Sequence, residues 1–136
     1  MVCNWHEIRA EITAYMTDED VIDLICTAIE SGIGYWACLD NTGELFVDAP
    51  EEEPVSETVA KILLKGGGVT ILDDEDRSRS WTLTLDKLLK GVEMFIKNEQ
   101  NGSMYVEEGR IGIECIDAIG ADSIIQYALF GEQVYA

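Results

Sequence analysis

Apolar residues recur at helical spacing after Thr17. They stand at i, i+3, i+4, i+7 and i+8, the spacing of one helix face, and are Val21, Leu24, Ile25, Ala28 and Ile29. Thr17 suits an N-cap, and Glu19 or Asp20 can complete a capping box while the acids of the first turn favour the helix dipole. We therefore predict a helix over residues 18–31, ended by Gly32.

Three further stretches predict helices. One covers residues 55–65, with Pro54 at its first position or just before it. Another covers 86–97, and its apolar stripe consists of Leu88, Leu89, Val92, Phe95 and Ile96. The last begins near 117 or 121 and ends at Phe130, because Gly131 follows as a C-terminal stop.

Strand patterns fall between these helices. Residues 7–16 alternate well enough to predict a half-buried strand. Residues 33–39 predict a buried strand or an extended segment. Residues 69–72 and 80–85 flank a run of charged residues, which is typical of a hairpin with a charged tip at 73–79.

The remaining stretches are turns or loops, with a short strand expected at 104–106. A chain of 136 residues suits one domain. We predict a single α+β domain over residues 1–136, in which about four helices pack on an antiparallel sheet of three or four strands. The expected core comprises Leu24, Ile25, Ala28, Trp81, Leu88, Val92, Phe95, Ile125 and Leu129.

The excess of acidic over basic residues disfavours some binding functions of this protein. The chain has 27 acidic residues against nine Lys and Arg, for a formal net charge of −18. Direct binding of nucleic acid or of an anionic membrane is disfavoured, because both require basic residues to neutralise phosphate. The 51 residues from 10 to 60 contain 13 acids and neither Lys nor Arg. We expect a partner-binding anionic face made of Asp40, Glu44, Asp48, Glu51, Glu52, Glu53, Glu57, Asp73, Asp74, Glu75 and Asp76.

No residue pattern indicates catalysis, a metal or a cofactor. His6 is the single histidine, and nucleophilic catalysis needs a base beside the nucleophile. Gly66–Gly68 lacks the spacing of a phosphate-binding loop and follows a helix. Asp74, Asp76 and Ser78 begin like a calcium loop, but Arg79 stands where that loop requires glycine. We predict a protein that is not an enzyme and has no catalytic residue, metal site or cofactor.

The expected location is the cytoplasm. The first residues lack the basic start and apolar stretch of a signal peptide, and no apolar run is long enough to span a bilayer. The four cysteines are widely spaced. Cys26 and Cys115 have apolar neighbours and are expected to be buried, reduced thiols.

Two features leave alternatives open. Tyr35, Trp36 and Trp81 form either part of the core or the lining of a ligand pocket. Gln126, inside an apolar run, caps a backbone group, faces solvent or pairs across a homodimer.

The positions of five basic residues distinguish two functions. Convergence on one cleft favours a nucleotide- or metabolite-binding module, and dispersal favours the acidic surface. The five residues are Arg77, Arg79, Lys87, Lys90 and Arg110.

Residues 20–36, 83–91 and 117–131 carry a resemblance to a protein family. The sequence A-D-S-I-I-Q-Y-A-L-F-G at 121–131 is its most specific part. The chain resembles a set of small acidic hypothetical proteins of gut bacteria, their phages and mobile elements. The resemblance implies a mobile-element context and no activity, ligand or site residue. In size and charge, the chain is similar to anti-CRISPR and other anti-defence proteins that imitate DNA.

The acidic surface and this context together suggest a function. We expect a protein-binding inhibitor whose acidic face competes for the basic groove of a nucleic-acid-binding host protein. The partner is therefore expected to be a basic protein surface, with no direct contact to nucleic acid or membrane, and homodimerisation is left open. The alternative is the small-ligand module.

Overall fold

A computed structural model describes residues 4–8, 11, 13–99 and 105–136. The helices are α1 (Asp18–Thr27), α2 (Val55–Leu64), α3 (Leu85–Asn98) and α4 (Ala118–Phe130). The strands are β1 (Ala37–Asp40), β2 (Val69–Asp73), β3 (Ser80–Leu83), β4 (Val106–Glu107) and β5 (Arg110–Ile111). A π-helical turn (Ala28–Gly32) follows α1, and 3₁₀ turns cover Glu44–Phe46 and Ile113–Cys115. The predicted α+β class is confirmed.

The main sheet is antiparallel with the order β1-β2-β3, and β4 and β5 form a separate pair. In its register, Ala37 lies opposite Asp73 and Asp40 opposite Thr70. Alternate residues of each strand project to the same face. One face therefore carries the sheet's share of the core, which includes Val69, Ile71 and Leu83.

The helices pack in two pairs, α1 with α2 and α3 with α4, and α2 and α4 also contact the sheet. Helix α4 follows its cap at Asp117, whose carboxylate accepts a hydrogen bond from the Gly120 N–H at 2.8 Å. It ends at Gly131, which has a φ of 73°. A positive φ is readily adopted by glycine, so the predicted stop is confirmed.

The start of α1 is fixed by a capping box and an ion pair. The Asp20 N–H donates to the Thr17 hydroxyl at 3.1 Å, and the Thr17 N–H donates to Asp20 Oδ2 at 3.0 Å. Arg110 Nη2 donates to Asp20 Oδ1 at 2.9 Å. This hydrogen bond from Arg110 is the main reason why the pKa of Asp20 is lowered. The ion pair also ties β5 to α1.

Replacing Asp20 with Asn should destabilise the fold in a pH-dependent way. The amide can still cap α1 but carries no charge for Arg110. Because the folded-state pKa of Asp20 lies below its ordinary value of about 3.9, the stabilisation is present above that value and is lost as the pH falls through the folded pKa. The difference in unfolding free energy between wild type and Asp20→Asn, measured by denaturant melts, should therefore shrink between about pH 5 and pH 2. An unchanged difference would contradict a role for the Asp20 charge.

The predicted strand over residues 7–16 is wrong for its described residues. Tyr15 forms a single bridge with Arg110, and the other described positions have no regular structure. Ile8 and Trp5 are almost fully exposed. Alternation predicts which residues would share a face, but a strand also needs a neighbour. Of the described residues in this stretch, Tyr15 is the one that bonds to the β4–β5 hairpin, through Gly109 and Ile111. The predictions for residues 9, 10, 12 and 104 lie outside the described residues.

Five predictions of burial also need correction. Cys26 is only partly buried. Cys115 is exposed, because it ends a 3₁₀ turn in which Ile113 takes the core position. Leu89 is 41% exposed, since it lies at the edge of the stripe of α3. Leu129 and Trp81 are only partly buried, whereas the other members of the expected core are buried.

Within the described part of the chain, every helix is too short or too polar to cross a lipid bilayer.

Candidate acidic binding surface

Residues 40–57, here called the acidic loop, connect β1 to the first turn of α2. Asp40 begins it, with Oδ1 accepting hydrogen bonds from the Thr42 N–H at 3.0 Å and the Thr42 hydroxyl at 2.5 Å. The bond from the Thr42 hydroxyl is the main reason why the pKa of Asp40 is lowered. Phe46 is the inward anchor of the loop and packs against the core. The loop thus has a defined start and a hydrophobic attachment.

Glu53 fastens the other end of the loop to α2. Its carboxylate accepts a hydrogen bond from Lys61 Nζ and another from the Thr58 hydroxyl at 2.7 Å. The Lys61 bond is the main reason why the pKa of Glu53 is lowered. Only 8% of the Glu53 side chain is exposed. Glu53 is therefore a structural residue of the loop, which its place in a run of three glutamates did not reveal.

The other carboxylates of the loop face outward. Glu44, Asp48, Glu51 and Glu52 are exposed, and Glu57 is half-buried. Among the described residues, these five side chains form no ion pair within 4.0 Å. None of the five is therefore held in a close ion pair, although Glu57, after the hydrogen-bonded Glu53, contributes to the raised pKa of Lys61.

A groove of about 640 Å³ lies between the acidic loop and the C-terminal end of α2. Its apolar lining comes from Leu45, Ala49, Pro50 and Ile62, and its polar lining includes Glu44, Asp48, Glu53, Lys61 and Lys65. Leu45 is 57% exposed. The acidic loop therefore combines unpaired carboxylates with an open apolar cleft.

The hairpin tip (residues 74–79) lies away from the acidic loop. Asp40 pairs with Thr70 near the start of β2, whereas Asp73 pairs with Ala37 at the end of β2. Three residues of strand separate these pairs, about 10 Å. The acidic loop and the tip therefore leave the sheet at opposite ends of β2. A continuous face made of both groups, or of the loop and the matching patch of a second subunit, stays a prediction.

Asp73 itself is used inside the fold. Its Oδ1 accepts hydrogen bonds from the backbone N–H groups of Glu75 at 2.9 Å and Asp76 at 3.1 Å. These bonds, the one from Glu75 first, lower the pKa of Asp73. Asp74, Glu75 and Asp76 are exposed, and Asp74 lies 4.0 Å from Arg77. Asp73 therefore shapes the tip, while its three neighbours remain on the surface.

The basic residues that could indicate a ligand cleft are dispersed. Arg77 and Arg79 belong to the tip, where Arg79 lies 3.8 Å from Asp73. Lys87 donates to the Thr82 carbonyl at 2.7 Å. Lys90 pairs with Glu93 at 3.2 Å, and Arg110 binds Asp20 at the start of α1. This dispersal favours the acidic surface over the nucleotide-binding module.

The three aromatic residues Tyr35, Trp36 and Trp81 differ in their burial and contacts. Trp36 is buried, 3% exposed, and donates from Nε1 to Asp122 Oδ1 at 2.7 Å. Tyr35 is exposed at its ring, but its hydroxyl donates to Asp122 Oδ2 at 2.6 Å. Burial of the Tyr35 hydroxyl, aided by its hydrogen bond to Asp122, raises the pKa of Tyr35 to about 12. Trp81 is partly buried and packs edge-on against Trp36 at 6.0 Å. The core interpretation thus holds for Trp36.

Sequence reasoning missed the polar network around Asp122. Gln126 is 0% exposed, and its Nε2 donates to Asp122 Oδ1 at 3.0 Å. Its Oε1 accepts from the N–H groups of Val134 and Tyr135. Of the three alternatives for Gln126, the capping of backbone groups is the one observed. The spacing of four residues between Asp122 and Gln126 places them on one helix face, which was the available signal.

No cluster of three or more His, Cys, Asp or Glu side chains that could hold a metal ion occurs among the residues that the structure describes.

Raising the salt concentration should stabilise the protein. At a net charge of −18, repulsion between unpaired carboxylates opposes folding. The Debye length falls from about 10 Å at 0.1 M to about 3 Å at 1 M, so this repulsion is screened. We expect the Tm to rise between these concentrations of NaCl, and to rise less when Asp48, Glu51 and Glu52 are replaced with Lys. A flat or falling Tm in wild type would show that the acids repel each other little.

Comparison of the chain with protein-family models, with curated proteins and with solved structures finds no match.

Proposed function

We propose that this chain is a non-enzymatic binding protein that acts in the cytoplasm and inhibits a nucleic-acid-binding host protein. Its acidic loop occupies the basic groove of that host protein and so competes with nucleic acid. The observation that carries the proposal is the set of exposed loop carboxylates without a cation partner in the described chain. A groove that binds phosphates presents Lys and Arg side chains, which carboxylates of this kind also attract.

The groove beside the loop supports a partner that is both basic and apolar. Carboxylates steer association and set specificity, whereas affinity depends more on buried apolar anchors. Leu45 and Ile62 line a cleft next to Glu44 and Asp48. An apolar side chain from a basic partner segment would fit this cleft while neighbouring Lys or Arg residues meet the acids.

The family resemblance of residues 20–36, 83–91 and 117–131 supports a mobile-element origin, and similarity in size and charge alone supports an anti-defence role like that of anti-CRISPR proteins that imitate DNA. A nucleotide- or metabolite-binding module is not proposed, because the basic residues that would bind phosphate are dispersed.

The contacts of the loop carboxylates determine which of them are replaced to test this function. Reversal of Glu53 would break its bonds to Lys61 and Thr58, so Asp48, Glu51 and Glu52 are the three residues to replace with Lys. A matched control replaces Asp23, Glu114 and Glu132 with Lys, three exposed acids outside the loop. Each triple variant changes the net charge from −18 to −12.

Immobilised wild type, loop variant and control variant are incubated with lysate of a bacterial host, and bound protein is eluted with a duplex DNA oligonucleotide. We expect wild type and control to retain the same DNA-eluted protein and the loop variant to lose it. Equal retention by all three, or retention that DNA does not reverse, would contradict the proposal.

A further inference from the structure

The last six residues of the sequence, 131–136, cross the surface of the domain as a strap. Gly131 turns the chain away from α4 with its positive φ, and the strap has no helix or strand of its own. Gly131, Glu132, Gln133, Val134 and Ala136 are exposed, and Tyr135 is the one partly buried residue. The strap is attached through the Tyr135 side chain, through the Val134 and Tyr135 backbone, and through Gln133 Nε2, which donates to the Ser123 carbonyl at 3.0 Å.

The Tyr135 ring occupies an aromatic slot made by Trp36, Trp81 and Phe130. It stacks on Trp36 with ring centroids 4.6 Å apart and an interplanar angle of 7°. The centroids of Phe130 and Trp81 lie 6.0 Å and 6.5 Å from it. The Tyr135 hydroxyl donates to Asp73 Oδ2 at 3.1 Å. The slot thus accepts a flat ring and offers a carboxylate to its phenol group.

Gln126 recognises the strap backbone next to the slot. Its Oε1 accepts hydrogen bonds from the Val134 N–H at 2.7 Å and the Tyr135 N–H at 2.8 Å. Its Nε2 donates to the Tyr135 carbonyl at 3.1 Å. The bond from Nε2 to Asp122 fixes which way the amide points. A fully buried glutamine in the middle of a helix is therefore held ready for an extended peptide backbone.

The groups that the strap contributes to these contacts are not specific to this chain. It provides two adjacent N–H groups, one carbonyl and one phenol ring, and an extended peptide segment with a tyrosine offers the same groups. The specific parts of the contact, Gln126, Asp73 and the three aromatic rings, all belong to the body of the domain. Another molecule could therefore replace the strap without any change in the body.

We propose that the slot is a second binding site, for an extended peptide segment of a partner that carries a tyrosine, and that the strap is its resident competitor. Wild type binds such a segment only to the extent that the strap is released, because the apparent Kd is the intrinsic Kd divided by the fraction of open molecules. This site uses neither the acidic loop nor its groove, so it does not depend on the function proposed above.

The test titrates full-length protein with the acetylated peptide of residues 131–136 and follows the Trp36 indole N–H by NMR. Tyr135→Ala empties the slot and should bind the peptide at least about tenfold more tightly than wild type does. Tyr15→Ala is the matched control, since Tyr15 is 70% exposed and outside the slot, and it should bind as wild type does. The same peptide with alanine in place of its tyrosine should not bind any of the three proteins.

A folded Tyr135→Ala protein that shows no binding at millimolar peptide would overturn the proposal. Equal binding of the tyrosine and alanine peptides would also overturn it. If Tyr135→Ala does not fold, Val134→Pro is the second variant. It removes the N–H that donates to Gln126 Oε1 and leaves the slot residues in place. It should then bind the peptide more tightly than wild type, and failure to do so would likewise count against the proposal.

Discussion

Replacing Leu88 with Ala should lower the free energy of unfolding by about 2–5 kcal/mol, the usual range for truncating a core leucine. Leu88 is 0% exposed and lies on the buried side of α3 with Val92 and Phe95. The truncation removes apolar contacts and leaves a cavity that helix packing fills only partly. The measurement is a urea melt monitored by circular dichroism.

Leu89→Ala provides the matched control. It removes the same atoms from the next residue of the same helix, but Leu89 is 41% exposed. We expect its effect to stay below about 1 kcal/mol, because a surface position leaves no cavity. Equal losses for Leu88→Ala and Leu89→Ala, or a loss below about 0.5 kcal/mol at Leu88, would contradict the orientation of α3.

Replacing Gly91 with Ala should destabilise the fold by about 1–3 kcal/mol, although alanine favours a helix interior by up to about 1 kcal/mol over glycine. A Cβ at this position would lie 2.5 Å from the Ile124 carbonyl oxygen and 2.9 Å from the Ala128 Cβ. The first of these atoms is backbone, so α3 and α4 would have to move apart.

The control for Gly91 is Gly43→Ala. Gly43 has a φ of −72°, and a Cβ there meets no atom within 4 Å. In the same urea melts, this variant should unfold within about 0.5 kcal/mol of wild type. A Gly91→Ala protein as stable as Gly43→Ala would show that α3 and α4 are not packed as closely as described.

Helix ends were predictable from sequence because their signals are local. Thr17 and Asp20 close a capping box three residues apart, and Gly131 ends α4 with a positive φ. The strand expected at 7–16 failed for the opposite reason. Its pairing depends on residues near Arg110, which lie far along the chain and which alternation alone does not identify.

The acidic loop was predictable as a charged segment, but the roles of its members were not. Glu53 differs from Glu51 and Glu52 only because the loop folds back and brings it to Lys61. Similarly, the separation of the loop from the hairpin tip follows from the pairing of Asp40 with Thr70. Such roles depend on three-dimensional pairing, and composition shows only that many acids are present.

The return of the strap was not predictable either. Gln126 stood out in its apolar run, and Asp122 precedes it by one helical turn. Tyr135, the partner of Gln126, reaches it only because the chain reverses at Gly131. A left-handed glycine permits a reversal but does not specify where the following residues dock.

The central claim is that the acidic loop binds a basic partner. The most direct test measures the Kd between the purified partner recovered by DNA elution and wild type, the Asp48/Glu51/Glu52→Lys variant and the Asp23/Glu114/Glu132→Lys control, at 0.1 M and 1 M NaCl. We expect the loop variant to bind about ten- to a hundredfold more weakly than wild type at 0.1 M, from three reversed surface charges. The control should bind close to wild type, and the loop variant's deficit should shrink at 1 M because salt screens surface charges. Equal Kd values for all three proteins at both salt concentrations would contradict the claim.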